Sequence, residues 1–515
     1  MTAPLRPTVI RNATVLTLDD SDRLHPRADV VIEGGLIRAV GPGAAASAPP
    51  GAEVIEAEGN LVIPGLVNGH FHSPGNFMKG ALENWPLELF MLFEVPPLMD
   101  RVASPRFAYV RTMLGIIEML KQGVTSVHDD CFFVPVVTEG EVDAVLQAYA
   151  DAGMRATVTL DQPNVAETEK YPFLAEILPA PLRARMEAAP RMTDRQLLDH
   201  YAAYIDRWHG KAGGRLRAAV SCSAPQRVTP EYFRALGDIA RQMDIPYDMH
   251  ILETRLQRVL GQENYGKSLV RYAHDMGVLT EQAMVIHAIW IDDEDIRLIA
   301  DSGASVAHNP VSNLKIGSGI MRWRHLREAG INVCLGNDEA NTDDGINLWT
   351  VGKVAGLMHN VTDPEFRNWI TPGEILGGLT HAGARAMRLP APTGRIAPDW
   401  QADLTILDLS TLPFTPLNDI RRQLVYCETG GSVRTVLVGG EVVVRNGRLT
   451  RVDEDALLAE ARECAAEFAE YMARCSSAAE ELAPHYRAMY DRALATPVGM
   501  DRWARPDFGK GEALQ

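Results

Sequence analysis

The sequence predicts an α/β protein, a (β/α)8 TIM barrel with a small β-sandwich built from its N- and C-terminal segments. Eight short apolar or β-branched runs alternate with amphipathic helical patterns through the middle of the chain. Each run ends in small or polar residues, as the strands of a parallel barrel do. Short strand-like runs broken by Gly and Pro flank this region on both sides. A doubly wound open sheet is the alternative for the alternating region.

The eight predicted barrel strands follow one another at spacings that leave room for a helix between them. In chain order they are "LVIPGLVNGHFH", "GVTSVHDD", "RATVTLDQ", "RLRAAVSCSAPQ", "IPYDMHILE", "AMVIHAIW", "ASVAHNP" and "NVCLGND". Helical patterns such as "SPRFAYVRTMLGIIEMLKQ" and "TPEYFRALGDIARQM" lie between them. Eight strands with intervening helices are the number that a TIM barrel requires.

The flanking segments are predicted to form one accessory domain. Neither contains enough strands to bury a sheet face alone, so the two are expected to pair into a single sandwich. The predicted domains are 1–60 with 395–450 for the sandwich, 61–394 for the barrel, and 451–515 for a C-terminal helical extension. This extension is rich in Ala, Glu and Arg at helical spacing, and either packs on its own chain or forms a subunit contact.

Charge and cysteine content narrow the class of protein. A net charge of −17 with a pI near 5.3 argues against a nucleic-acid partner and against docking on anionic membranes. The six cysteines show no Cys-x-x-Cys spacing, so neither a disulfide framework nor a thiolate zinc site is indicated. The N-terminus lacks a signal-peptide pattern, and no uncharged apolar run reaches the ~18 residues of a membrane span. A cytoplasmic location is expected.

Polar residues gather at the carboxyl ends of the predicted strands, where TIM barrels hold their active sites. His70 and His72 are two apart on an extended segment, so their side chains point to the same side. The residues found at the strand ends are His70 and His72, His128 with Asp129 and Asp130, Gln226, His250 with Glu253, His287, His308 with Asn309, and Asp338 with Glu339. A lone histidine there would be a structural residue, but convergence from several strands predicts a metal site. Three neutral imidazoles and a carboxylate suit a catalytic zinc or a comparable divalent ion.

The chain resembles the amidohydrolase superfamily, and within it the branch of metal-dependent deaminases of amino-heterocycles and triazine hydrolases. The most specific stretches are "PGLVNGHFHSPG" and "VIHAIWIDDEDIRLIADSGASVAHNPVSNLKIGSGI". The resemblance implies one metal ion, zinc or alternatively iron. It implies His70, His72, His250 and Asp338 as metal ligands. It also implies that His287 assists the bound water and that Glu253 shuttles protons.

The residue types at these positions support a hydrolytic mechanism. A bound divalent ion lowers the pKa of its water from about 15.7 toward about 7, which supplies hydroxide near neutral pH. Asp338 can accept the proton of that water, and Glu253 can protonate a ring nitrogen of the substrate. His287 would hydrogen-bond the hydroxide or the developing oxyanion, an effect of about 3 kcal/mol for one donor in other enzymes.

The segments expected to contact the substrate differ in sequence from those of the branch that the chain resembles. Many nucleoside-type deaminases of this branch have a histidine in a Pro-His-Ala context after the fourth strand, whereas this chain has "SAPQRV". Gln226 offers an amide suited to a lactam or amidine edge, and Arg227 adds a charge. The alternative for both residues is a surface turn.

Further candidates for substrate contacts are Glu339, Trp85 and Asn309. Glu339 is followed by Asp343 and Asp344; acidic residues there either bind an amino or cationic group or cap the next helix, and capping is favoured for Asp344. Trp85 stands among aromatic residues that either wall the substrate or form a helix core. The insertion at 163–190 is expected to act as a lid or an interface.

The predicted function is that of a metal-dependent hydrolase that uses a metal-bound hydroxide on a small nitrogen heterocycle, by hydrolytic deamination. An amide, urea or carbamate hydrolase and a hydrolytic dehalogenase of a triazine-like ring are alternatives, since the same hydroxide would attack them. Glu253 favours deamination, which needs a proton donor to the ring. A non-catalytic binding scaffold is a further alternative. The expected partner is a small-molecule substrate, with no nucleic acid or membrane, and a homodimer is left open.

Overall fold

A computed structural model of the chain describes residues 5–99 and 102–504. The predicted fold class is confirmed: a parallel barrel carries a second, largely antiparallel sheet formed from both flanking segments. The first five strands lie outside the barrel and are β1 (Thr8–Leu16), β2 (Leu24–Glu33), β3 (Leu36–Gly41), β4 (Glu53–Glu56) and β5 (Asn60–Pro64).

The barrel is closed by ten strand segments that act as eight strands. They are β6 (Leu66–His72), β7 (Val124–Asp129), β8 (Arg155–Val158), β9 (Leu216–Ala218), β10 (Val220–Ser221), β11 (Tyr247–Ile251), β12 (Ala283–His287), β13 (Ser305–His308), β14 (Asn332–Leu335) and β15 (Asp338–Glu339). The fourth strand is divided into β9, which pairs with β8, and β10, which pairs with β11. The eighth is divided into β14, which pairs with β13, and β15, which pairs with β6. Every pairing is parallel, so all the strands end at one mouth of the barrel.

Helices pack around the barrel and connect its strands. Their bounds are α1 (Leu87–Glu94), α2 (Pro105–Lys121), α3 (Glu139–Ala152), α4 (Leu174–Ile177), α5 (Ala180–Glu187), α6 (Asp194–Trp208), α7 (Lys211–Gly214), α8 (Pro230–Met243), α9 (Arg255–Tyr265), α10 (Leu269–Asp275), α11 (Asp293–Ser302), α12 (Pro310–Lys315), α13 (Trp323–Glu328), α14 (Ala340–Asp343), α15 (Leu348–Met358), α16 (Pro372–Gly378) and α17 (His381–Ala386). Several begin at a Ser, Thr or Asp whose side chain accepts a hydrogen bond from the first turn. Thr254, for example, caps α9 directly after Glu253.

The two flanking segments share one nine-stranded sheet. After the barrel the chain adds β16 (Leu404–Asp408), the short helix α18 (Ile420–Tyr426), β17 (Val433–Val438), β18 (Glu441–Arg445) and β19 (Arg448–Leu449). β5 and β16 pair antiparallel and join the N-terminal half to the C-terminal half. The resulting order is β19-β18-β17-β16-β5-β1-β2-β3, with β4 beside β1. Each half thus supplies the partner that the other lacks.

A buried ion pair joins the barrel to this sheet. Arg155 on β8 donates through Nε and Nη2 to the two carboxylate oxygens of Asp403, at 2.9 and 3.1 Å. The amide of Gly439 and the hydroxyl of Thr393 also donate to Asp403. Arg155 and Asp403 are both buried, so each charge of this ion pair is compensated by protein groups and not by solvent.

Replacing Asp403 by alanine is expected to lower the free energy of unfolding by about 3–5 kcal/mol, because the Arg155 guanidinium would remain buried without its partner. Chemical denaturation measures this change. Asp199→Ala is the control: that carboxylate is 63% exposed and pairs with Arg195 at 2.9 Å within one helix, so its removal should cost less than ~1 kcal/mol. Equal losses in the two variants would contradict a structural role for the buried pair.

The C-terminal extension is a long helix, α19 (Glu454–Ala495), that packs on its own chain against α1, α2, α4 and α9. Its buried face includes Leu482, Tyr486 and Met489. Residues 505–515 of the predicted extension and 1–4 of the predicted sandwich lie outside the described residues. A homodimer stays a prediction. In the described part of the chain no helix has the length and apolarity to span a membrane, and the cytoplasmic location stays a prediction.

Candidate metal centre and active site

Four of the residues predicted as metal ligands meet at the carboxyl ends of β6, β11 and β15. The Nε2 atoms of His70 and His72 lie 3.4 and 3.3 Å from Oδ1 of Asp338. Nε2 of His250 lies 3.3 Å from Nε2 of His72. The donor atoms of His70, His250, His287 and Asp338 form one group within 4.8 Å of one another, and those of His70, His72, Asp130 and His250 form a second, overlapping group. The barrel geometry alone brings these side chains together, since they are far apart in sequence.

The hydrogen bonds of the imidazoles show which nitrogens face the centre. Nδ1 of His72 donates to the carbonyl of Asp130 at 2.5 Å, and Nδ1 of His250 donates to the carbonyl of Ser223 at 2.7 Å. In a neutral ring this leaves a lone pair on each Nε2, and the two Nε2 atoms face each other. Both ring nitrogens of fully buried His70 have no hydrogen-bond partner among the described residues.

This donor set fits one divalent metal ion. Burial lowers the pKa of His70 to about 3, so this ring is neutral. Burial opposes the charged form of His72, yet Asp338 and Asp130 raise its pKa to about 10, so a cation, either a proton or a metal ion, belongs between this imidazole and Asp338. Buried polar atoms without partners are rare in folded proteins, and the ring nitrogens of His70 are of the kind that a divalent metal binds.

Asp338 is held in place by neighbours on both of its oxygens. Its Oδ2 accepts a hydrogen bond from the hydroxyl of Ser312 at 2.6 Å, while Oδ1 faces the imidazoles. Burial alone would raise its pKa, but His70 and His72 hold the pKa of this carboxyl well below its usual range. The backbone of Asp338 has φ of 70°, and that of His287 has φ of 71°. Such left-handed conformations cost about 1–3 kcal/mol in non-glycine residues and concentrate at functional sites.

Glu253 and His287 lie beside this centre as a pair. Nε2 of His287 is 3.5 Å from Oε1 of Glu253 and 3.8 Å from Oδ2 of Asp338. Nδ1 of His287 lies 2.8 Å from Oδ1 of Asn313, which orients the ring. Burial raises the pKa of Glu253 to about 7, with His287 lowering it and Asp338 raising it. A carboxyl with such a pKa can give or take a proton near neutral pH.

A cavity at the barrel mouth opens onto these side chains. His72, His250, Glu253, His287 and Asp338 all face it. One wall carries Glu94 of α1 and Glu339, whose carboxyl groups are hydrogen-bonded to each other. Burial and Glu94 raise the pKa of Glu339 well above its usual range. Another wall carries Asp161, Arg227, Lys170 and Tyr171. The cavity therefore combines acidic, basic and aromatic surfaces around one centre.

The substrate contacts predicted from the sequence are only partly placed at this cavity. Glu339 lines it, but Gln226, Trp85 and Asn309 do not. Gln226 lies in a 3-10 turn whose next residue, Arg227, takes the cavity side, because successive residues of such a turn point about 120° apart. Trp85 stacks on Phe93 at 4.7 Å. Asn309 is fully buried, with its amide nitrogen 3.5 Å from Nδ1 of His287. For these three residues a contact with the substrate stays a prediction.

The predicted capping role of Asp344 is also wrong. Asp344 ends α14 and accepts a hydrogen bond from the amide of Gly80 at 2.7 Å, while Asn347 caps α15. Asp343 accepts a hydrogen bond through Oδ2 from the side-chain Nδ2 of Asn337 at 2.8 Å. Both carboxylates therefore support the loops around the eighth strand.

The structure adds two acidic residues that were not singled out from the sequence. Glu94 belongs to a segment that was interpreted as a helix core with aromatic residues, and only its packing turns it toward Glu339. Asp161 follows β8 and lines the cavity. Its position directly after a predicted strand, in "RATVTLDQ", is the same signal that identified the other strand-end residues.

Comparison with known sequences gives the same picture. The sequence model of the amidohydrolase family matches residues 61–443. A 5-methylthioadenosine/S-adenosylhomocysteine deaminase of Nitratidesulfovibrio vulgaris is 30% identical over 88% of this chain and 96% of its own length. A 5'-deoxyadenosine deaminase of Methanosarcina mazei is 28% identical over 89% of this chain and 98% of its own.

Solved structures share the fold over almost the whole chain. An adenosine deaminase from Xanthomonas campestris with bound zinc has a TM-score of 0.79 at 24% identity and covers 92% of this chain and 100% of its own. An atrazine chlorohydrolase from Arthrobacter aurescens complexed with zinc has a TM-score of 0.80 at 24% identity, covering 89% and 100%. At these identities the likeness shows the fold.

Proposed function

Because the chain belongs to the amidohydrolase family, we propose that it is a metal-dependent hydrolase that removes an exocyclic amino group from a small nitrogen heterocycle. The observation that carries the proposal is the position of Glu253, a buried carboxyl 3.5 Å from His287 and on the cavity side of the metal centre. Hydrolysis of an amide, urea or carbamate has less need of such a group, because the attacked carbonyl is already electrophilic.

The metal would be held by His70, His72, His250 and Asp338. When bound, a divalent ion supplies acidified water as the nucleophile and stabilises negative charge that develops on oxygen. We propose zinc in preference to iron, because three neutral imidazoles with one carboxylate and an open position suit zinc without any redox role. Metal analysis of the purified protein distinguishes the two ions.

Side chains of the protein would carry out the proton transfers of the reaction. Asp338, anchored through Oδ2 by Ser312, accepts a proton from the attacking water. Glu253 delivers a proton to the ring nitrogen beside the carbon that is attacked, which makes that carbon more electrophilic. His287, oriented by Asn313, lies near both carboxylates and donates a hydrogen bond to the developing oxyanion when Nε2 carries a proton. The amino group takes up the proton held by Asp338 and departs as ammonia, while Glu253 regains a proton from the hydroxyl group added to the ring.

The relatives support this class of reaction. Their names describe deaminases of 5'-deoxyadenosine, 5-methylthioadenosine and S-adenosylhomocysteine, all amino-substituted ring compounds. They do not fix the ring for this chain, because identity is 28–30% and the segment "SAPQRV" borders the cavity.

Ammonia release tests the proposal. Metal-loaded protein is expected to release ammonia from at least one member of a panel that contains adenine nucleosides, amino-purines, amino-pyrimidines, pterins and amino-triazines. Chloride release from chlorinated triazines and product formation from ureas and carbamates are followed beside it. Absence of ammonia from every ring, with metal bound and one of the other products formed, would replace deamination by that reaction.

A further inference from the structure

A buried arginine in the cavity wall lacks a close counter-charge. The side chain of Arg227 is 8% exposed and lines the cavity. Its Nη1 donates to the hydroxyl of Ser223 at 3.0 Å, and its Nη2 lies 2.9 Å from Sδ of Met91. Among the described residues, no carboxylate oxygen lies within the 4.0 Å of an ion pair with this guanidinium, unlike the buried Arg155. A guanidinium stays charged, and burying it without a partner is costly.

A buried aspartate, Asp161, lines the same cavity. Asp161 is 4% exposed, and its Oδ1 has no hydrogen-bond partner in the described structure. Its backbone is fixed, since its amide donates to the carbonyl of Cys131 at 2.9 Å and its carbonyl accepts from Phe133. The backbone that carries this carboxylate is therefore fixed at the cavity wall.

Ser223 connects Arg227 to the metal centre. Its hydroxyl accepts a hydrogen bond from Nη1 of Arg227, while its carbonyl accepts one from Nδ1 of His250 at 2.7 Å. The backbone of Ser223 has φ of 60°, a conformation that sets the carbonyl and the hydroxyl in these directions. One residue thus links the Arg227 guanidinium to His250, one of the proposed metal ligands.

The two groups together define the chemistry of a ligand. A carboxylate would pair with Arg227 but be repelled by Asp161, and a cation would meet the reverse. A neutral edge with an N–H next to a C=O satisfies both, because the carbonyl accepts from the guanidinium and the N–H donates to the carboxylate. We propose that Asp161 and Arg227 recognise the –NH–C(=O)– edge of an amino-oxo heterocycle, such as a pyrimidine, purine or pterin with a lactam group. This rests on the proposed function and narrows it, since the adenine ring has no such edge.

Matched ring pairs test the recognition. The probes are cytosine against 4-aminopyrimidine, isocytosine against 2-aminopyrimidine, and guanine against 2-aminopurine, which differ in the lactam group. For metal-loaded protein, kcat/KM is expected to be at least ~10-fold higher for the oxo member of a pair. Asp161→Asn and Arg227→Gln are each expected to lower kcat/KM for the oxo member by about 10- to 100-fold, as for the loss of a charge-assisted hydrogen bond, and to change it little for the other member.

A binding measurement keeps the test independent of turnover. Calorimetric titration of metal-loaded Glu253→Gln protein with the same six compounds should show the preference for oxo rings, and adding Asp161→Asn should remove it. The same substitution types at an exposed pair, Arg195→Gln and Asp199→Asn, change the charge equally and should leave binding and kcat/KM unaltered. Melting temperature and bound metal are recorded for each variant, so that misfolded protein is recognised.

The outcomes separate the two proposals. Oxo-selective binding without ammonia from any ring would retain the recognition pair and overturn deamination. Ammonia release with equal kcat/KM within each pair, or equal losses for both members in the variants, would overturn the recognition pair and retain deamination.

Discussion

Replacing Glu253 by glutamine is expected to lower kcat by about 10²- to 10⁴-fold, the range for loss of a general acid–base group. Glutamine keeps the size and the hydrogen-bonding shape of the side chain but cannot transfer a proton. The carboxyl it replaces is buried, lies 3.5 Å from His287 and has a pKa raised by burial to about 7. Bound metal and substrate affinity should be retained, because Glu253 is not among the proposed ligands. Steady-state kinetics with metal analysis measures both.

Glu88→Gln is the matched control for this variant. Glu88 is a second buried glutamate nearby, and it accepts a hydrogen bond from the hydroxyl of Thr254 at 2.6 Å, a bond that a glutamine oxygen can also accept. Its substitution should change kcat by less than ~5-fold, since no proton transfer is lost. If Glu253→Gln kept most of the activity, or if both variants lost it equally, Glu253 would not be the proton carrier.

The metal centre follows from the sequence because parallel strands impose a simple geometry. Their carboxyl ends meet at one mouth, so His70, His250 and Asp338 converge although they lie far apart in the chain. Each strand end could be located from a β-branched run followed by a polar residue. A metal site at this mouth was therefore predictable from the strand ends, whereas the choice of His70, His72, His250 and Asp338 came from the family resemblance.

The residues that line the cavity walls could not be predicted in the same way as the metal centre. Gln226 and Arg227 are neighbours, and only the rotation of a 3-10 turn decides which of them faces the cavity. Glu94 meets Glu339 because of how α1 packs over the barrel, a contact between residues far apart in sequence. Sequence pattern carries no information on either arrangement, since both depend on tertiary packing.

The pairing of the two flanking segments was predictable only in part. That each half needs a partner sheet was evident from its few strands. The sequence did not predict that β5 pairs with β16 or that Asp403 pairs with Arg155. Strand register and a buried ion pair both depend on how side chains fit in three dimensions.

Removal of the metal is expected to abolish turnover and to destabilise the fold. A metal centre supplies several kcal/mol of transition-state stabilisation, so protein dialysed against a chelator should lose activity by at least ~10³-fold and regain it with zinc. Zinc binds the folded state and should raise its stability by about 2.7 kcal/mol at 100 times the dissociation constant. A clear rise in melting temperature with added zinc measures this effect.

His70→Ala should abolish both responses to zinc, because it removes a proposed ligand whose ring nitrogens have no hydrogen-bond partner among the described residues. The control is His359→Gln, which changes another buried histidine. Nε2 of His359 contacts Nε2 of His308 at 3.1 Å, and His359 belongs to neither group of clustered metal-binding side chains. Its zinc-dependent rise in melting temperature should match that of the unmodified protein. Because each variant is compared with and without zinc, a general loss of stability cancels. A zinc response in His70→Ala equal to that of the unmodified protein would exclude His70 as a ligand.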